Sequence, residues 1–157
     1  MKNISLLSLV IAASFLSGFA VNSIFTKDKT SNMKKVTGIG GVFFKCKDPG
    51  KLKEWYKTHL GLDAGPYGAN FEWREDAAPD KKGSTAWNPF PETTKYFNPS
   101  EKDFMINYRV EDLEGLVEQL RLEGVTIVDK LESYDYGKFI HIIDLEGNKV
   151  ELWEPKQ

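Results

Sequence analysis

The sequence predicts an α+β domain of two paired βαβββ units, forming a curved mixed sheet around a shared cleft with helices on the outside. Three observations carry that prediction. An alternating apolar stretch ending in aspartate occurs twice, as Val42-Phe43-Phe44-Lys45-Cys46-Lys47-Asp48 and as Ile106-Asn107-Tyr108-Arg109-Val110-Glu111-Asp112, at an offset of 64 residues from Val42 to Ile106. Each stretch runs into a helix signal in the same register, with Leu52 matching Leu116 and Tyr56 matching Leu120. Strand-like segments follow each helix, and an internal repeat of this kind outranks local propensity in deciding a fold.

Composition is compatible with such a domain. The chain has 157 residues, 41% hydrophobic and 28% charged, with Trp 4, Tyr 6 and Phe 10, enough to build a core in one domain. Its net charge of -2 offers no basic face to a phosphate backbone, which argues against nucleic acid as a partner. Cys46 is the one cysteine, so an internal disulfide and a thiolate-rich zinc site are excluded.

Residues 1–32 read as a leader. Lys2 precedes Ile4 to Phe25, a run without charge, and Gly18-Phe19-Ala20 offers a small-x-small cleavage site, as in a secretory signal peptide. Uncleaved, the run is long enough to anchor the chain in a membrane. Export or anchoring is expected, with a cytoplasmic protein the alternative if translation starts at Met33. Residues 33–157 then form the domain, with units at 36–90 and 103–155 and a net charge near -4 once the lysine-rich leader is set aside.

The elements follow in order. The first strand, around Val42 to Cys46, leads to Asp48 as N-cap and Pro49 at the first helical position. Leu52, Trp55, Tyr56 and Leu60 make the apolar stripe of a helix closed by Gly61. Phe71-Glu72-Trp73 and Gly83 to Trp87 are the next strand candidates. Asn88 to Lys102 holds Pro89, Pro91 and Pro99 with Phe90, Tyr96 and Phe97, and reads as a linker or lid. In the second copy Asp112 caps a helix with Leu113, Leu116, Val117 and Leu120 on its apolar stripe, closed by Gly124. Val125 to Asp129, Lys138 to Ile143 and Lys149 to Trp153 are its strands, the last two joined by the turn Asp144 to Asn148. Phe71 and Phe104 are expected in the core.

The two-residue period of a strand assigns side chains to faces. With Val42, Phe44 and Cys46 against the helix, Gly41, Phe43 and Lys45 face the cleft. By the same rule Met105, Asn107 and Arg109, and Glu151 and Trp153, face it from the second copy. His141 joins Glu151 there if Ile140 and Ile142 are core. His59 reads as a helix C-terminal or surface residue.

These elements resemble the vicinal oxygen chelate superfamily, which contains glyoxalases, bleomycin-resistance proteins and extradiol dioxygenases. The likeness rests on the paired units, on Gly38 to Phe44 with Asp48-Pro49, and on Asp144-Leu145-Glu146-Gly147-Asn148-Lys149-Val150-Glu151-Leu152 near the end. Leu145 stands where that closing motif usually has proline. The resemblance implies a divalent ion held by residues at Gly41, near Trp87, at Met105 and at Glu151. Only Glu151 has a side chain suited to such an ion, so no family metal is expected.

His141 and Glu151 remain as the catalytic candidates. They are read three ways: a hydrogen-bonded pair shaping the pocket, a metal-free acid/base pair, or part of a metal site completed by a carboxylate such as Glu72. Phe43, Trp87, Phe90, Met105, Asn107, Arg109 and Trp153 are the expected pocket, which suits a small hydrophobic or aromatic molecule. Arg109 and Lys45 would attract an anion or pair with rim carboxylates. The expected function is small-molecule binding without the metal. The alternatives are a glyoxalase-like lyase or isomerase using Glu151 and His141, and an interaction module at the cell envelope. A homodimer with swapped units is the alternative to pairing within one chain.

Overall fold

The computed structural model describes residues 36–156 except position 77. The expectations for the leader fall outside the described residues. Among the described residues no helix is long and apolar enough to cross a membrane.

The first unit runs β1 (Val36–Cys46), α1 (Pro49–Leu60), β2 (Ala69–Glu75) and β3 (Ala78–Pro91). The second runs β4 (Phe104–Val110), α2 (Leu113–Leu122), β5 (Thr126–Ile127), β6 (Glu132–Tyr134), β7 (Gly137–Ile143) and β8 (Lys149–Pro155). All eight strands form one sheet in the order β2-β3-β1-β4-β8-β7-β5, with β6 on β7. β1 and β4 pair antiparallel at the centre, each flanked by a parallel partner, β3 and β8 respectively. The two units therefore join within one chain, first strand to first strand.

The caps behave as the sequence dictates. The Asp48 carboxylate accepts from the Lys51 amide at 3.0 Å, and Gly61 closes α1 in the left-handed conformation. The Asp112 carboxylate accepts from the Gly115 amide at 3.1 Å, and Gly124 adopts a positive φ beyond α2.

Three features differ from expectation. The first unit has two strands after α1 where three are expected; ahead of β2, Gly65-Pro66-Tyr67-Gly68 makes a tight turn with only a Gly65–Gly68 bridge, because glycine and proline break a ladder there. β3 extends to Pro91, so the linker begins later than expected. Pro89 and Pro91 are tolerated because β2 pairing ends at Trp87, leaving that stretch paired to β1 alone. Phe71 and Phe104 are largely exposed, whereas Phe97 of the linker is fully buried.

The core is lopsided. Val110, Leu113, Leu116, Val117, Ile140 and Leu152 form its buried cluster, all from the second unit. α2 buries Leu113, Leu116 and Val117, but α1 buries no residue, and Leu60 is 65% exposed. From α1, Tyr56 packs on the sheet, its ring 4.8 Å from that of Trp87.

Candidate functional site

The cleft face carries a buried polar cluster at its centre. Gly41, Asn107, Glu151 and His141 stand side by side across β1, β4, β8 and β7. Glu151 is 3% exposed. Its Oε1 accepts from Asn107 Nδ2 at 2.6 Å, and its Oε2 accepts from the Tyr96 hydroxyl and contacts His141 Nε2 at 2.9 Å. On its other side His141 Nδ1 meets Asp129 Oδ2 at 2.6 Å, while the His141 amide donates to Asp129 Oδ1 at 3.0 Å. Only the imidazolium can donate to both carboxylates at once. Burial acts to raise the Glu151 carboxyl, but hydrogen bonds from His141, Tyr96 and Asn107 outweigh it and hold the group below the usual glutamate value. Burial, followed by the Glu151 charge, pushes the Tyr96 phenol far upward, so it stays a donor.

Tyr96 belongs to the linker, which is strapped over one end of the cleft. Lys149, itself buried, donates to the Tyr96 carbonyl at 2.7 Å and sits 5.0 Å from the centre of its ring. Phe90 stacks on Tyr96 with centroids 5.6 Å apart, and Phe43 and Phe97 complete the aromatic plug beside Phe90.

The other end of the cleft is open. A cavity of about 990 Å³ there is lined by Arg109, Trp153, Tyr136, Glu72, Lys82 and Thr37 among others. Arg109 is 8% exposed, and its guanidinium lies between two indoles, 5.3 Å from Trp73 and 5.3 Å from Trp153. Both indoles are fixed. Trp73 donates to the Thr85 hydroxyl at 3.0 Å and lies so close over Gly83 that a Cβ there would come within 2.4 Å of its ring. Trp153 stacks on Phe139 at 5.9 Å and donates to the Tyr136 carbonyl at 3.3 Å. Burial depresses the Arg109 guanidinium from its ordinary value, opposed by the charge of Glu75.

The expected pocket residues separate into four groups. Arg109 and Trp153 line the open cavity, and Phe43 and Phe90 belong to the aromatic plug. Met105 is fully buried and Asn107 is committed to Glu151, so neither lines the cavity. Trp87 is corrected outright: it pairs with Val42, on the helix face, and packs against Phe44 and Tyr56. Phe43 pairs with Asn88 as Asn107 pairs with Glu151, so the first-unit counterpart of Glu151 is Asn88, one residue on. Lys45 pairs with Asp103 at 3.6 Å, as a rim cation was expected to, but Arg109 has no such partner among the described residues.

Sequence reasoning missed Asp129, Lys149 and the specific partnership of Trp73 with Arg109. Asp129 left one signal, an acid ending the apolar run Val125 to Val128 beside the strand that bears His141.

A family-type divalent ion finds no ligand set here. It needs about three or more protein ligands, and the corresponding positions carry Gly41, Asn88, Met105 and Glu151. Both Glu151 oxygens are already engaged. Among the described residues no group of three or more His, Cys, Asp or Glu is placed to hold an ion. The residues present do not fit that metal.

Fold and site together define a protein of two strand–helix–strand units sharing one mixed sheet, whose central cleft group is a carboxylate–imidazole cluster. Residues 38–152 match the family described as the Glyoxalase/Bleomycin resistance protein/Dioxygenase superfamily, and the chain belongs to that superfamily. Among solved structures it is similar to a methylmalonyl-CoA epimerase variant from Streptomyces coelicolor in complex with 2-nitronate-propionyl-CoA. That match has 14% identity and a TM-score of 0.59, covering 78% of this chain and 100% of the other. Methylmalonyl-CoA epimerase from Mycobacterium tuberculosis matches with 21% identity and a TM-score of 0.51, covering 82% and 95%. At such identities the likeness shows the fold. No curated protein matches the sequence.

Proposed function

We propose that the domain binds a small planar, aromatic or hydrophobic molecule at the open end of its cleft, without the superfamily's divalent ion. The observation that carries this reading is the 990 Å³ cavity beside the Trp73–Arg109–Trp153 sandwich. Its size falls at the upper end of the range for small-molecule sites, roughly 300–1,000 Å³, and fixed aromatic faces bind planar groups at little cost in ordering. The engagement of both Glu151 oxygens supports the metal-free part. Native mass spectrometry of the full chain, purified without chelators, should show a small-molecule adduct and no stoichiometric divalent ion. One ion per chain, lost on Glu151→Ala, would overturn the metal-free part.

A second reading, a lyase or isomerase, has its own support in the hydrogen-bonded chain Tyr96–Glu151–His141–Asp129. Glu151 would act as base and His141 as its acid or orienting partner, once the Tyr96 strap lifts to admit substrate. Lyase activity on hemithioacetals, abolished by both Glu151→Gln and His141→Ala, would establish it. Ligand affinity unchanged by those substitutions favours the binder.

Export or tethering is supported by the uncharged run from Ile4 to Phe25 behind Lys2. Fractionation of cells making the full chain should place it outside the cytosol or in the membrane; recovery in the cytosol alone defeats this.

A further inference from the structure

Arg109 is buried and makes no ion pair with a carboxylate among the described residues, although the Glu75 charge acts on it from a distance. Its Nε is one of two buried side-chain polar atoms with no hydrogen-bond partner among the described residues, and no ion pair reaches its guanidinium. Burying a cation without an anionic partner is costly, and indole faces offset only part of that cost. The arrangement nevertheless is built with care. Trp73 is locked by Thr85, whose hydroxyl donates in turn to the Ile39 carbonyl at 2.6 Å, and Trp153 by Tyr136 and Phe139. With two indoles each 5.3 Å from its Cζ and its Nε unpartnered, the guanidinium keeps N–H donors unsatisfied, and its N–H edge is the shape that grips a carboxylate with two parallel hydrogen bonds.

We propose that Arg109, clamped between Trp73 and Trp153, binds the carboxylate of a planar, singly charged aromatic acid occupying the cavity. This rests on the small-molecule reading above and names the ligand class. The rest of the lining limits the charge. Glu72, Glu75 and Asp135 line the same cavity and form no ion pair among the described residues, while Lys81 is 4.0 Å from Glu111. Glu111, Asp112 and Glu154 also line the cavity, so acids outnumber the cations Arg109, Lys81, Lys82 and Lys156, and a ligand with more negative charge, such as a phosphate ester, would be repelled more strongly. A monocarboxylate brings a single charge, which the Arg109 guanidinium can match.

The test is calorimetric titration of the full chain at neutral pH with cinnamate, cinnamamide and phenyl phosphate. Cinnamate should bind about tenfold or more tightly than cinnamamide, the gain expected of a charged hydrogen-bonded pair, and phenyl phosphate no more tightly than cinnamate. In Arg109→Gln the cinnamate affinity should drop to that of cinnamamide, while cinnamamide binding persists; Arg109→Lys should keep part of the preference. Equal binding of acid and amide to the parent protein overturns the role of Arg109 and leaves the cleft as a binding site. No binding of either overturns the small-molecule reading itself, and this proposal with it. Because the acid–amide comparison is made on the parent protein, it decides the matter even if Arg109→Gln does not fold.

Discussion

Glu151→Leu probes the central cluster. Leucine has a comparable size but accepts no hydrogen bond, so Asn107 Nδ2 and His141 Nε2 lose their acceptor in a buried site, and the Tyr96 hydroxyl loses its acceptor nearer the surface. An unmatched buried donor costs about 1–3 kcal/mol, and removing one partner of a buried charged pair about 3–5 kcal/mol. The expected loss is therefore about 4 kcal/mol. Tyr96→Phe takes one donor of three from the carboxylate and should cost about 1 kcal/mol. Because both substitutions act on one hydrogen bond, Tyr96→Phe should cost almost nothing in the Glu151→Leu background, a coupling of about 1 kcal/mol. Urea denaturation followed by circular dichroism and tryptophan fluorescence measures all four proteins. The sign with pH is also fixed. The folded carboxyl lies below its ordinary 4.5, so its contribution is complete above that value and is lost as pH falls through the depressed folded pKa. The gap between parent and Glu151→Leu should narrow in acid. Additive effects of the two substitutions, or a Glu151→Leu protein within about 1 kcal/mol of the parent, would refute the picture of a single tied cluster.

Three further outcomes are expected. Gly40→Ala should destabilise by about 2 kcal/mol, because its Cβ would fall 2.1 Å from Asn107 Oδ1 and 2.8 Å from the Trp153 ring; thermal melting checks this. Leu116→Ala should cost about 2–4 kcal/mol and Leu60→Ala under about 0.5 kcal/mol, since the first is buried in the core cluster and the second is exposed on α1. Lys149→Met should retain the fold but raise proteolytic cleavage within Pro91–Lys102, because the Tyr96 carbonyl loses its donor; limited proteolysis reads it directly.

The repeat was legible because its carriers are local. Alternation in the first strands, Asp48 and Asp112 as caps, and Gly61 and Gly124 as terminators each act within a few residues. The offset of 64 residues holds from β1 to β4 and through the caps and apolar stripes of α1 and α2, but it is 63 at the terminators Gly61 and Gly124 and at the closing strands, where Asn88 matches Glu151. A one-residue slip exchanges the faces of a strand, which is why Trp87 was read into the cleft and lies on the helix face. Glu151 and His141 were legible as neighbours because β7 and β8 are joined by a short turn whose register the sequence determines. Asp129 and Tyr96 reach the same cluster from a loop and from the linker, where no periodicity reports direction. Trp73 on β2 meets Arg109 on β4 across two intervening strands, β3 and β1, a juxtaposition that only sheet order creates. The exposure of Phe71 was hidden for a related reason: β2 is an edge strand, and hydrophobicity alone does not report that.

The uneven core gives the two halves of the duplication different roles in time. Amide protection follows local free energy of opening, and segments with few buried apolar contacts open first. The second unit, with its buried cluster around α2, is the persistent half, and the first, whose α1 buries no residue, is the half that opens. Trp73 and Trp153 come one from each half, so the indoles around Arg109 separate whenever the first unit breathes. Hydrogen exchange in β2 and α1 is then a clock for access to the cavity, and a ligand bound in the cavity against Arg109 would slow it.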